Sequence, residues 1–116
     1  MAFQVTHDTN HFRKDLEKFL EGVMDLFRES RGFAFSARKA GGIVIKMMVL
    51  DQEVDAFGRV CGEAGETAFS NYYYAKAVAF GMAGRVGEGH QYLDKARTRR
   101  TGGVFAEMCQ TYYGHS

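Results

Sequence analysis

The stretch whose reading decides the fold is Phe33–Gly65, FAFSARKAGGIVIKMMVLDQEVDAFGRVCGEAG. Two readings compete for its first half. Phe33–Ser36 and Ile43–Ile45 have the look of short strands, with Arg38-Lys39-Ala40-Gly41-Gly42 as a hairpin loop between them. A longer window argues for helix. Positions 33, 36, 40, 43, 47, 50, 54, 57, 61 and 64 advance in steps of three and four. They hold Phe33, Ser36, Ala40, Ile43, Met47, Leu50, Val54, Phe57, Cys61 and Ala64, nine of the ten apolar. A stripe of that length favours a helix running to about Gly65. Gly41-Gly42 is where it breaks or kinks.

The flanking segments are helical too. Upstream, Phe12, Leu16, Phe19, Leu20, Val23 and Phe27 fall at helical spacing among charges, which predicts an amphipathic helix over 8–31. Asp8, Thr9 or Asn10 can cap it and Gly32 can end it. Downstream, the Ala- and Tyr-rich run 66–82 predicts a third helix, followed by a turn at Ala83-Gly84-Arg85. A fourth spans 86 to about 99, Thr101-Gly102-Gly103 breaks the chain, and 104–113 forms a short fifth. The expected fold is all-α: a small bundle of about five helices in one domain, residues 1–116.

Composition supports a packed domain. Of 116 residues, 46% are hydrophobic and 14% aromatic, with ten Phe, six Tyr and six Met, which excludes disorder from a shortage of apolar side chains. Fourteen glycines without proline exclude Pro-rich and collagen-like classes. Cys61 and Cys109 lack paired spacing or neighbouring histidines, so both read as buried small hydrophobes rather than a disulfide framework or zinc site. The longest apolar run, Gly41–Leu50, is interrupted by Lys46 and is too short for a membrane span. Met1-Ala2-Phe3-Gln4 shows no basic-then-apolar signal pattern, so the expected setting is cytoplasmic. Net charge is +1, which argues against a histone-like or strongly acidic protein. The distribution is uneven: Asp51, Glu53, Asp55, Glu63 and Glu66 make an acidic stretch, and Lys95, Arg97, Arg99 and Arg100 a basic knot.

Tyr73–Ala96, YYAKAVAFGMAGRVGEGHQYLDKA, resembles one tetratricopeptide repeat. The large aromatic of the repeat's first helix falls on Tyr73, its small residue on Ala77 and the second aromatic on Phe80. Gly84 takes the turn, and the second helix follows with Gly89, Leu93 and Ala96. Thr101 stands where the family ends in proline, and Lys76 where leucine is common. The resemblance implies an antiparallel helical hairpin, small residues at 77 and 89 allowing close approach while Tyr73, Phe80 and Leu93 fill the groove.

Catalytic and ligand motifs have plainer readings. Arg31-Gly32-Phe33-Ala34-Phe35 has the opening of the RNA-recognition-motif signature but follows the first helix directly, where a strand is required. His7 and His11, four apart, lack a third ligand and are read as terminal capping residues. Ser36-x-x-Lys39 has the spacing of a serine nucleophile and its base, with no partner motif. No phosphate-binding or dinucleotide fingerprint occurs. Gly58-x-x-x-Gly62 would permit close helix packing. No catalytic, cofactor or metal residue is assigned.

The expected function is therefore non-enzymatic protein binding, as an adaptor, chaperone or small inhibitor of a larger complex, such as a bacterial or phage accessory protein. The candidate partner-binding residues are Tyr72, Tyr74, Lys95, Arg97, Arg99 and Arg100. Three consecutive tyrosines cannot share one helix face, and with Tyr73 inward, Tyr72 or Tyr74 is left partly exposed. The arginines suit an acidic protein surface, or the chain's own acidic stretch. A homodimer through the 43–64 helix would bury part of the long stripe. The alternative is nucleic-acid binding through Arg38, Lys39, Arg97, Arg99, Arg100 and nearby tyrosines.

Overall fold

In the computed structural model, the described residues are 7–30, 42, 50–60, 62–99 and 103–114, with side chains from residue 12 onward. They form five helices and no strand: α1 His7–Ser30, α2 Leu50–Val60, α3 Gly62–Met82, α4 Val86–Arg97 and α5 Val104–Tyr113. The all-α bundle expected from the sequence is what forms. The hairpin-or-helix question over 33–49, and Gly41 with it, lies outside the described residues; of that stretch only Gly42 is described, and it is helical.

α1 is amphipathic in the simplest way. Phe12, Leu16, Phe19, Val23, Leu26 and Ser30 are buried at steps of four and three, while Arg13, Lys14, Asp15, Glu17 and Lys18 face solvent. Each fully buried Phe or Leu of this row is worth about 1.5–3 kcal/mol relative to exposure. The row meets α3 in register: Phe19 lies 5.1 Å from Tyr72 by ring centroids, and the Ser30 hydroxyl lies 3.9 Å from the Met82 sulfur. The two helices therefore run side by side in the same direction.

α3 is the axis of the molecule and touches the other four helices. Every residue from Tyr72 to Met82 is buried. A helix enclosed on all sides has no polar face to keep, which is why its pattern is apolar all round. Small residues make the enclosure feasible. At Gly81 a Cβ would collide with the Tyr112 ring, and at Gly89 it would fall on the Tyr113 hydroxyl. These two glycines seat the last aromatic pair of α5 against α3 and α4. The Tyr113 hydroxyl donates to the Ala77 carbonyl at 2.7 Å, and the Cys109 thiol to the Tyr74 carbonyl at 3.3 Å.

Two boundaries differ from the sequence reading. The stripe does not carry one helix to Gly65: α2 stops at Val60, and α3 begins at Gly62 rather than at residue 66. Gly62 has a φ of +56°, a left-handed turn open to glycine, and α2 folds back antiparallel along α3. The close approach is between Gly58 and Gly65, not Gly58 and Gly62. A Cβ on Gly65 would fall on the Phe57 carbonyl oxygen, whereas nothing lies within 4 Å of one on Gly62. α4 ends at Arg97, two residues early, where the Thr98 hydroxyl donates to the Lys95 carbonyl at 2.7 Å.

Candidate functional site

The chemistry-bearing side chains converge between α2, α3 and α4. α2 presents Asp51 and Asp55, one turn apart, toward α3. Asp51 Oδ1 accepts a hydrogen bond from the Tyr72 hydroxyl and another from Lys76 Nζ, the latter at 2.6 Å. Asp55 Oδ1 accepts from the Tyr73 hydroxyl at 2.6 Å, and its Oδ2 pairs with Lys95 Nζ of α4 at 3.2 Å. Two carboxylates thus collect two phenols and two ammonium groups.

Burial is unequal across this layer. Lys76 is 1% exposed, whereas the Asp51 and Asp55 side chains keep 30% of their surface and Lys95 keeps 41%. A buried ammonium needs compensation. Lys76 has it from Asp51 and from the face of Tyr92, whose ring centre is 4.5 Å from Nζ. Lys95 repeats the arrangement over Tyr73, again at 4.5 Å. Tyr92 stacks near-parallel between Tyr73 and Phe80, at 6.0 and 5.2 Å.

The phenols are held neutral. Burial raises the Tyr72 and Tyr73 hydroxyls far above the ordinary tyrosine range, and their bonds to Asp51 and Asp55 push the same way. Burial likewise pushes the Cys109 thiol up to about 12 against the opposing pull of Arg97. A thiol kept protonated is a poor nucleophile. The phenol and ammonium donors all end on the two carboxylates, so the layer joins three helices.

Of the candidate binding residues, Tyr72 and Tyr74 are not at the surface. They are 0% and 3% exposed, because α3 is covered on every side and no helix face remains for an outward tyrosine. Lys95 is engaged with Asp55, which realises the pairing of basic knot with acidic stretch. Arg97 and Arg99 are exposed at the end of α4, and the Arg99 guanidinium lies over the Phe69 ring at 4.9 Å. Arg100 lies outside the described residues, as do Arg38, Lys39, Ser36, Cys61, the 31–35 signature and the His7 and His11 side chains.

Sequence reasoning missed Asp51, Asp55, Lys76 and Tyr92 as one constellation. The signal was present: Lys76 is the lone charge in the run Ala68–Met82, and two aspartates stand four apart beside the buried stripe. A groove of about 520 Å³ between α1, α2 and α3 also escaped notice, lined in part by Phe12, Leu16, Phe57 and Ala68. Around the helical hairpin, Tyr73, Ala77, Phe80, Gly89, Leu93 and Ala96 are buried, and Gly84 turns with a φ of +77°. Among the described residues, no helix is long and apolar enough to cross a membrane. No family model, curated protein or solved structure matches the chain.

Proposed function

We propose that the chain is a non-enzymatic protein-interaction module that docks an acidic partner on the basic end of α4. One observation carries this reading: the Arg99 guanidinium is exposed yet held against the Phe69 ring. A side chain already positioned on an aromatic face loses less freedom on binding than a solvated one, and arginine engages carboxylates through two parallel bonds. Arg97 stands two residues away on the same exposed end. Lys95, expected to join them, is spent on Asp55.

The nucleic-acid alternative draws less support. It relied on tyrosines offering stacking faces beside the arginines, and Tyr72 and Tyr74 are buried.

Capture from native lysate with wild-type bait and with an Arg97→Glu/Arg99→Glu bait tests the proposal. A stoichiometric protein should be retained by the first and lost by the second, with both baits equally helical by circular dichroism. Equal retention by both baits, or retention of nucleic acid alone, would remove the reading.

A further inference from the structure

The apolar stripe of the sequence runs straight through a place where the chain turns. Leu50, Val54, Phe57, Cys61, Ala64 and Ala68 advance by four, three, four, three and four residues, the spacing of one uninterrupted helix face. Yet α2 ends at Val60 and α3 starts at Gly62. The helices fold back far enough for Asp51 to bond Lys76, 25 positions later. Periodicity through a turn means that the same residues suit both a folded-back pair and a straight helix.

The turn depends on backbone freedom at Gly62. Its φ is +56°, and a Cβ there would meet nothing within 4 Å. An alanine at 62 would be opposed by left-handed geometry alone, with no clash added. In a straight helix the same alanine is preferred to glycine. Gly58 and Gly65 favour the closed form, since the helices approach closely there and glycines weaken an extended helix.

We propose that the α2–α3 turn is a hinge through which two copies of this chain exchange α1 and α2. Opened, 50–82 becomes one helix, and α1 with α2 settles on the partner copy. The contacts needed are those already made within one chain. Asp51 of each copy takes Tyr72 and Lys76 of the other, and Asp55 takes Tyr73 and Lys95. Exchange of identical elements adds little cost beyond association itself, and a short connection between packed helices is the setting that favours it.

Gly62→Ala is the first test. It disfavours the turn and favours the straight helix by about thirtyfold per copy, so dimer affinity should rise on the order of a thousandfold. Light scattering should read twice the monomer mass. A folded, monomeric Gly62→Ala at about millimolar concentration overturns the proposal. So does an equal shift in Gly84→Ala, whose φ of +77° marks the α3–α4 turn. The second test stands even if Gly62→Ala does not fold. Copies carrying Asp51→Lys and copies carrying Lys76→Asp each set like charges together within one chain. Exchanged between copies, α2 restores opposite charges at both sites. Mixed, they should form a one-to-one dimer more helical than either alone. A mixture that behaves as the sum of its parts overturns the exchange.

Discussion

Raising the pH should unfold this protein cooperatively, and its tyrosines set where. All six are shifted upward, with burial the leading cause in each. Tyr112, the one placed near the working range, is pushed up to about 12. In the unfolded chain the same phenols ionise near 10.0. Above that pH the folded state binds more protons than the unfolded state, so stability is complete below pH 10 and falls as pH rises. Each phenol kept neutral costs about 1.4 kcal/mol for every pH unit past its unfolded value. Tyr72 and Tyr73 alone, both 0% exposed, contribute a slope of about 2.7 kcal/mol per unit, or roughly 5 kcal/mol by pH 12. That matches the lower end of a small domain's stability, about 5–15 kcal/mol. The transition should therefore fall at about pH 11–12 once Tyr112 and Tyr113 add their share.

The assay follows tyrosinate absorbance and helical circular dichroism through the same titration. Both should change together, with less tyrosinate signal at pH 10 than six free phenols would give while the helices persist. Tyr73→Phe isolates one contribution. It should flatten the loss of stability above pH 10 by about 1.4 kcal/mol per unit. At neutral pH it should cost about 1 kcal/mol for the lost bond to Asp55. Six tyrosines ionising near pH 10 with helicity intact would refute the reasoning, since it requires their hydroxyls to be shut away from water.

Other perturbations separate the parts of the fold. Asp51→Asn leaves the Lys76 ammonium buried without its anion and should cost about 3–5 kcal/mol in urea denaturation. Lys76→Met replaces the buried cation with an apolar chain of similar length and should cost under about 1.5 kcal/mol, the 30%-exposed Asp51 turning to water; equal losses would show that Lys76 is not buried. Gly65→Ala places a methyl on the Phe57 carbonyl and should destabilise by about 1–3 kcal/mol in the same measurement. Gly87→Ala, on α4 with nothing within 4 Å, should raise the melting temperature through a gain of up to about 1 kcal/mol.

The parts of the fold legible in the sequence are those where a helix keeps one face to solvent. α1 shows its buried row from Phe12 onward because half its circumference faces water and the contrast is complete. The last helix occupies 104–113, the span expected after the Thr101-Gly102-Gly103 break. α3 concealed its surroundings for the opposite reason. From Tyr72 to Met82 it is buried all round, so nothing in the spacing of Tyr72, Tyr73 and Tyr74 revealed that all three point into protein. The break before Gly62 was hidden differently. Leu50 through Ala68 satisfy helical period whether the chain turns or not. What decides the matter is the meeting of Gly65 with the Phe57 carbonyl, a contact between backbones that no side-chain pattern records.

The polar layer makes most sense as the feature that fixes where α2 sits. Apolar contacts such as those of Leu50, Val54 and Phe57 are non-directional and, taken alone, tolerant of sliding. The aspartates are not tolerant. Slid one turn one way, α2 would bring Arg59 to the place of Asp55, against Lys95 and Tyr73. Slid the other way, it would carry Asp51 away from the buried Lys76 ammonium and leave that ammonium without its anion. Either register sets like charges together or strands a charge, each costing more than a shifted methyl. The carboxylates, phenols and amines of this layer together specify one packing.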